Sequence, residues 1–165
     1  ARWPGNILSG RVTQSMCSHY DIIQTLNEML CLNGELPEDL PGKSFAHVLL
    51  NGEDSDNHVV ILDEYGNSRM IRNREWKYIH RYPYGPCELY DLVHDADEKK
   101  NLVDEPEYEA VKTDLLARLQ KWYYRYADPA VDGTREAVTG FGQLCRPGVY
   151  SEGKNTYANS PKYQK

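Results

Sequence analysis

Between residues 76 and 82 the side chains alternate without a break. Trp76, Tyr78, His80 and Tyr82 fall on one side, and Lys77, Ile79 and Arg81 on the other. A period of two commits this segment to an extended strand with one aromatic face that needs covering. Pro83, Gly85 and Pro86 break it, and residues 88–92 read as a second strand running back. Upstream, residues 58–64 are rich in Val, Ile and Leu. Residues 65–68 have hairpin-turn chemistry, residues 69–72 form another strand, and residues 73–75 turn the chain again. The expectation is an antiparallel sheet of about four strands.

A long helix is expected next. Pro106 suits its first turn, and Asp128 followed by Pro129 ends it. Tyr108, Val111, Leu115, Leu119, Trp122 and Tyr126 recur at threes and fours, which makes an apolar stripe. A stripe and an open sheet face each need a partner, so the helix is expected to cover the sheet. Trp122 is the expected main anchor, with Lys121 on the wet face. The fold class is therefore α+β: a small four-stranded antiparallel sheet packed by a long C-terminal helix.

The sheet is preceded by a helical segment. Ser18 is placed as an N-cap with Asp21 three residues on, ahead of a helix from about residue 19 to about residue 32. Asn33 and Gly34 are its expected stop. A short helix is expected within residues 44–50. Ile22, Ile23, Leu26 and Met29 share one face of the first helix, and the sheet-and-helix unit offers that face no cover. Self-association, or contact with another chain, is expected there. The chain divides into residues 1–52, residues 53–128 and an irregular polar tail, residues 129–165.

Composition narrows the functional classes. The net charge is −6 and no dense basic run occurs, so the footprint of a nucleic-acid binder is missing. No apolar run has the length of a membrane span. Cys17, Cys31, Cys87 and Cys145 form no zinc-type spacing, and free thiols are the expected state. That tilts the balance to a reducing, cytoplasmic setting, although two disulfides are also possible. Asp54, Asp56 and Asn57 lack the spacing of a calcium loop, so they are expected to be solvated, as are Asp91, Asp95, Asp97 and Glu98. No metal ligand or catalytic residue is assigned. A chain that opens on Ala1 and Arg2, with no initiator Met, is expected to start inside a longer polypeptide.

Several blocks carry a family resemblance in order: Arg2-Trp-Pro-Gly5; Ser18 to Leu26; Leu36-Pro, then Leu40 to Ser44; Leu49-Leu-Asn-Gly52; Arg69-Met-Ile-Arg72; Trp76-Lys-Tyr-Ile79; Glu88-Leu-Tyr-Asp-Leu92; and Asn101-Leu102. Together, over about residues 1 to 127, they resemble the C-terminal part of sulfatases in the alkaline phosphatase superfamily. Gln24 departs from the pattern, standing where that family usually has Pro.

The resemblance implies sulfate ester hydrolysis by an intact enzyme. A formylglycine made from a Cys/Ser-x-Pro-x-Arg motif would act as nucleophile, and calcium would neutralise the sulfate oxygens. It also implies an α/β catalytic domain, to which the segment 1–52 would belong, as the partner of this chain. Neither the nucleophile motif nor the cation ligands are found here, so the fragment alone is expected to be inactive. Cys145-Arg-Pro147-Gly-Val149 imitates the motif, but Val149 replaces the required Arg.

His80, Arg81 and Tyr84 are the candidate substrate contacts, at a strand end beside a Pro/Gly loop. A His and an Arg suit a sulfate, and a Tyr ring suits a sugar. The competing reading makes Tyr78 and Tyr82 part of an aromatic face packed under the helix. Two other functions stay open: a non-catalytic interaction module, and a phosphonate or phosphodiester hydrolase of the same superfamily.

Overall fold

The computed structural model describes residues 1–32, 34–55, 57–62, 68–82, 85–131 and 152. They form two compact units, one of Ala1–Val59 with Arg72–Glu75, the other of Val60–Ile71 with the residues from Trp76 onward.

In the first unit, a 3-10 turn (His19–Asp21) leads into helix α1 (Ile22–Met29), and α2 (Ala46–Leu50) follows. The capping box is formed. Tyr20 N–H donates to Ser18 Oγ, and Ser18 N–H donates to Asp21 Oδ2 at 2.7 Å. Asp21 also accepts from Lys43 N–H at 2.9 Å, which ties a distant loop to the helix start. The loop approaches so closely that a Cβ at Gly42 would lie 1.9 Å from the Tyr20 carbonyl oxygen. The helix ends at Met29, earlier than expected, because Cys31 itself takes the left-handed conformation (φ 49°). Asn33 lies outside the described residues.

The inward side of α1 holds Thr25, which is buried. Its hydroxyl donates to Asp21 O at 2.7 Å and accepts from Phe45 N–H at 3.0 Å. Ile22, Ile23, Leu26 and Leu30 stay exposed. Met29 is only partly buried.

The second unit is built on a four-stranded antiparallel sheet in the order β1 (Val59–Leu62), β2 (Ser68–Arg72), β3 (Trp76–Arg81), β4 (Glu88–Asp91). All four strands were expected, each within two residues of its observed ends. In β3 and β4, Tyr78 stands opposite Leu89 and Lys77 opposite Tyr90. The residues between β1 and β2 that were expected to make the hairpin turn, and most of the tail after residue 131, lie outside the described residues.

Helix α3 (Glu109–Tyr126) follows a 3-10 turn that begins at Pro106. Val60, Ile71, Tyr78, Leu89, Leu102, Leu115 and Leu119 form the core between sheet and helix. One expectation fails in detail. Leu115, Leu119 and Tyr123 are the buried residues of α3, whereas Trp122 is only partly buried and packs at the core's margin. At about 100° per residue, Tyr123 lies about 40° from Leu119 and Trp122 about 60° away on the other side. The narrow buried arc takes Tyr123, and the bulky indole stays at its rim, as large Trp side chains commonly do. Lys121 is exposed, as expected.

Candidate functional site

The alternation of β3 sends His80 and Arg81 to opposite faces of the sheet. His80 stays on the aromatic, helix-facing side. Its Nδ1 lies 2.7 Å from Tyr78 Oη and 3.8 Å from Cys87 Sγ. Its ring packs against Tyr82 with centroids 4.3 Å apart. Arg69 of β2 completes the group. It is buried, with its guanidinium 4.4 Å from the Tyr82 ring centroid and 3.4 Å from that of Tyr123. The result is a layered set of rings and one cation at the end of the core.

Electrostatics fixes the protonation of this group. Burial, aided by the Arg69 charge, holds His80 below the usual histidine range. Burial, with Cys87 adding to it, pushes the Tyr78 hydroxyl well above its usual range. The phenol therefore keeps its proton. When it donates to Nδ1, neutral His80 carries its own proton on Nε2. His80 is then a hydrogen-bond donor without formal charge.

Arg81, on the other face, is committed to local partners. It pairs with Glu88 and donates to the Pro86 carbonyl at 2.9 Å. Tyr90 Oη also donates to Glu88, at 2.8 Å. Burial pushes the Glu88 carboxyl up, but the Tyr90 and Arg81 contacts outweigh it and hold it below the ordinary carboxylate range. The structure thus separates His80 from Arg81, and Tyr84 lies outside the described residues. Arg69 was not among the sequence candidates. Its signal was a basic residue at a core-facing position of β2, one register step from buried Ile71.

Other candidate residues have structural work. Asp54 accepts from Thr13 Oγ1 at 2.7 Å, and Arg74 lies 3.3 Å away. The Thr13 bond, with Arg74 assisting against slight desolvation, keeps the Asp54 carboxyl below its usual range. Asp91 holds the turn after β4 through Val93 N–H and His94, and Lys77 pairs with Glu98. His19 sits in the 3-10 turn ahead of α1. Cys17, Cys31 and Cys87 are free thiols, and Cys145 lies outside the described residues. Among the described residues, no group of three or more His, Cys, Asp or Glu side chains is placed to hold a metal ion. No helix among them is long and apolar enough to cross a membrane.

Known proteins place this arrangement. The ulvan-active sulfatase of Formosa agariphila is 27% identical over 168 residues, which covers 78% of this chain and 33% of that protein. The Δ4,5-hexuronate-2-O-sulfatase of Bacteroides thetaiotaomicron is 27% identical over 116 residues, covering 66% of this chain and 24% of the relative. The chain thus spans a third or less of these two relatives. Among solved structures, a protein in complex with its substrate D-glucosamine-2-N,6-O-disulfate superposes with a TM-score of 0.65. It is 22% identical and is matched over 82% of this chain and 29% of its own. The phosphonate monoester hydrolase of Agrobacterium radiobacter gives a TM-score of 0.52 at 26% identity, over 70% of this chain and 26% of its own. Residues 1–125 match the family described as N-sulphoglucosamine sulphohydrolase, C-terminal. A match over that much of a 165-residue sequence, joined to the sheet-and-helix fold, shows that the chain belongs to this family of sulfatase C-terminal domains.

Proposed function

We propose that this chain is the C-terminal part of an enzyme that hydrolyses sulfate esters of a carbohydrate. The observation that carries the reading is the ordered match of residues 1–125 to a sulfatase C-terminal family. The saccharide class is suggested by relatives named for ulvan and for a hexuronate. In this reading residues 1–52 close the catalytic domain and residues 53–128 form the subdomain behind it. Calcium and formylglycine belong to the catalytic portion, and the chain by itself turns over no sulfate ester.

His80, Arg81 and Tyr84 are proposed as substrate contacts in the intact enzyme. The geometry favours unequal roles. A neutral His80 offers an Nε2–H donor suited to a sugar hydroxyl or a sulfate oxygen. Arg81, already paired with Glu88, would need to release that partner to meet an anion. The likeness to a phosphonate monoester hydrolase supports a second reading, phosphonate or phosphodiester cleavage on the same scaffold.

The test has two parts. The reading frame upstream of Ala1 is sequenced, and the whole encoded protein is assayed for sulfate release from sulfated monosaccharides and for phosphonate monoester cleavage. A Cys/Ser-x-Pro-x-Arg motif with sulfate release supports the proposal. A Thr or Ser nucleophile without that motif, with phosphonate cleavage, replaces it by the second reading. Neither activity from the whole protein leaves an interaction module.

A further inference from the structure

Helix α3 changes character along its length. Its first half carries Glu109 and Asp114, whereas residues 115–127 contain Arg118, Lys121 and Arg125 and no Asp or Glu. In a chain of net charge −6 that is a local reversal of sign. The helix dipole accounts for Arg125, which lies in the last turn. It does not account for Arg118 and Lys121, because the effect fades within one turn of the helix end.

At about 100° per residue, Arg118, Lys121, Trp122, Arg125 and Tyr126 fall within an arc of about 140°. Trp122 and Tyr126 are its partly buried edge, with ring centroids 5.3 Å apart and planes tilted by 59°. The three cations follow on the exposed side of these rings. Tyr124 lies beyond Lys121 and is 78% exposed, so its ring contributes little to the core. The cations keep donors to spare. Lys121 pairs with no carboxylate among the described residues. Arg118 Nε meets Asp114 at 2.8 Å in an exposed pair that water screens. The Arg125 guanidinium lies 5.1 Å from the Tyr126 ring centroid, a contact that uses its flat face and leaves its edge N–H groups available.

We infer that the C-terminal half of α3 is a binding face for a sulfated saccharide chain. The cations meet sulfate groups through charge-assisted N–H donors. The rings of Trp122, Tyr126 and Tyr124 pack on the apolar faces of the sugars, as amphipathic rings at an interface do. The inference rests on the carbohydrate sulfate-ester reading above. It adds a saccharide contact that involves none of His80, Arg81 and Tyr84. Nucleic acid is the competing polyanion. Bases stack on open aromatic platforms, and the tilted, partly buried pair of Trp122 and Tyr126 offers no parallel set of such faces. The geometry therefore favours the saccharide.

The probe is a chondroitin sulfate tetrasaccharide, titrated calorimetrically into the 165-residue chain. The desulfated tetrasaccharide and a short single-stranded DNA are the comparisons. Lys121→Glu, Arg125→Glu, Tyr124→Ala and Lys99→Glu are first checked by thermal melt, where little change is expected for exposed side chains. Lys99→Glu makes the same change of net charge as Lys121→Glu, away from α3. The sulfated form should bind, and the desulfated form and the DNA more weakly. Lys121→Glu and Arg125→Glu should each weaken binding about tenfold. Tyr124→Ala should weaken it less, and Lys99→Glu should leave it unchanged. Absence of binding overturns the inference, as does a loss in Lys99→Glu equal to that in Lys121→Glu. An unchanged affinity in Tyr124→Ala, or DNA binding as tight as the saccharide's, overturns the saccharide assignment. Sulfate release by the whole encoded protein is scored separately. Release by a protein whose chain binds no saccharide counts against this face alone, whereas binding without release counts against the sulfatase reading and leaves the face in place.

Discussion

The Asn101 side chain completes the free edge of β4 at Leu89. Leu89 N–H donates to Asn101 Oδ1 at 2.9 Å, and Leu89 O accepts from Leu102 N–H at 2.8 Å. Asn101 Oδ1 also accepts from Val103 N–H at 3.1 Å, and Nδ2 donates to Cys87 O at 3.1 Å. One amide thus acts as a short extra strand. It satisfies backbone groups that an edge would leave unpaired, and it lets Leu102 enter the core.

Asn101→Ala should therefore cost about 2–3 kcal/mol, since it removes three hydrogen bonds and leaves the N–H of fully buried Leu89 without a partner. Asn101→Asp keeps the acceptor and loses the donor to Cys87 O, so it should cost less. Urea melts of both variants beside the parent check the order. Equal midpoints for Asn101→Ala and the parent would show that the edge is satisfied by other means.

The buried arc of α3 gives a second ranking. Leu119 is 1% exposed at the centre of the core, so Leu119→Ala should cost about 3–5 kcal/mol. Trp122 is partly buried at the rim and pairs with the Tyr126 ring at 5.3 Å. Trp122→Ala should cost less than Leu119→Ala, about 1–3 kcal/mol. Lys121→Ala, on the wet face, should stay within about 0.5 kcal/mol. A melt in which Trp122→Ala is the most damaging of the three would contradict the arc described here.

Thr25 supports a prediction in the first unit. Thr25→Val is nearly isosteric, but it removes the acceptor for Phe45 N–H and the donor to Asp21 O. A loss of about 1–3 kcal/mol is expected from the stranded polar groups. Thr25→Ser keeps the hydroxyl and should recover most of it. Amide hydrogen exchange at Phe45 reads the bond directly. It should speed up in the Val variant and stay slow in the Ser variant.

Much of this was legible because local chemistry and tertiary structure agree. The β3 alternation, the Ser18–Asp21 capping box and the Pro106 helix start each have one local solution, and the structure adopts it. Asn101-Leu102 was visible as part of a family resemblance, but its role as an edge cap depends on Leu89, twelve residues away. Tyr123 is buried in place of Trp122 because it lies nearer the Leu119 direction, and its contact with Arg69 of β2 is a long-range pairing that the α3 sequence alone does not reveal. The Arg69–Tyr82–His80 stack was hidden for the same reason, since it joins residues from two different strand segments. The separation of His80 from Arg81 was implicit in the alternation, although their adjacency in sequence suggested a joint site.

His80 itself yields a pH prediction. Burial and the Arg69 charge depress its folded pKa below the ordinary value of 6.5. The groups that face it are Tyr78 and Tyr82 of the same strand segment, Cys87 ahead of β4 and Arg69 of β2. Where the folded pKa is the lower one, the unfolded state binds the extra proton, and stability rises with pH. The contribution is therefore intact above about pH 6.5 and is lost as pH falls through that value toward the folded pKa. His80→Gln cannot titrate, so its melting midpoint should decline less than the parent's between pH 7.5 and pH 5.5. The His80 ring resonances, followed by NMR, should titrate with a midpoint below 6.5. A midpoint at or above that value would mean that burial and the Arg69 charge do not favour the neutral ring, and the donor role proposed for neutral His80 would lose its support.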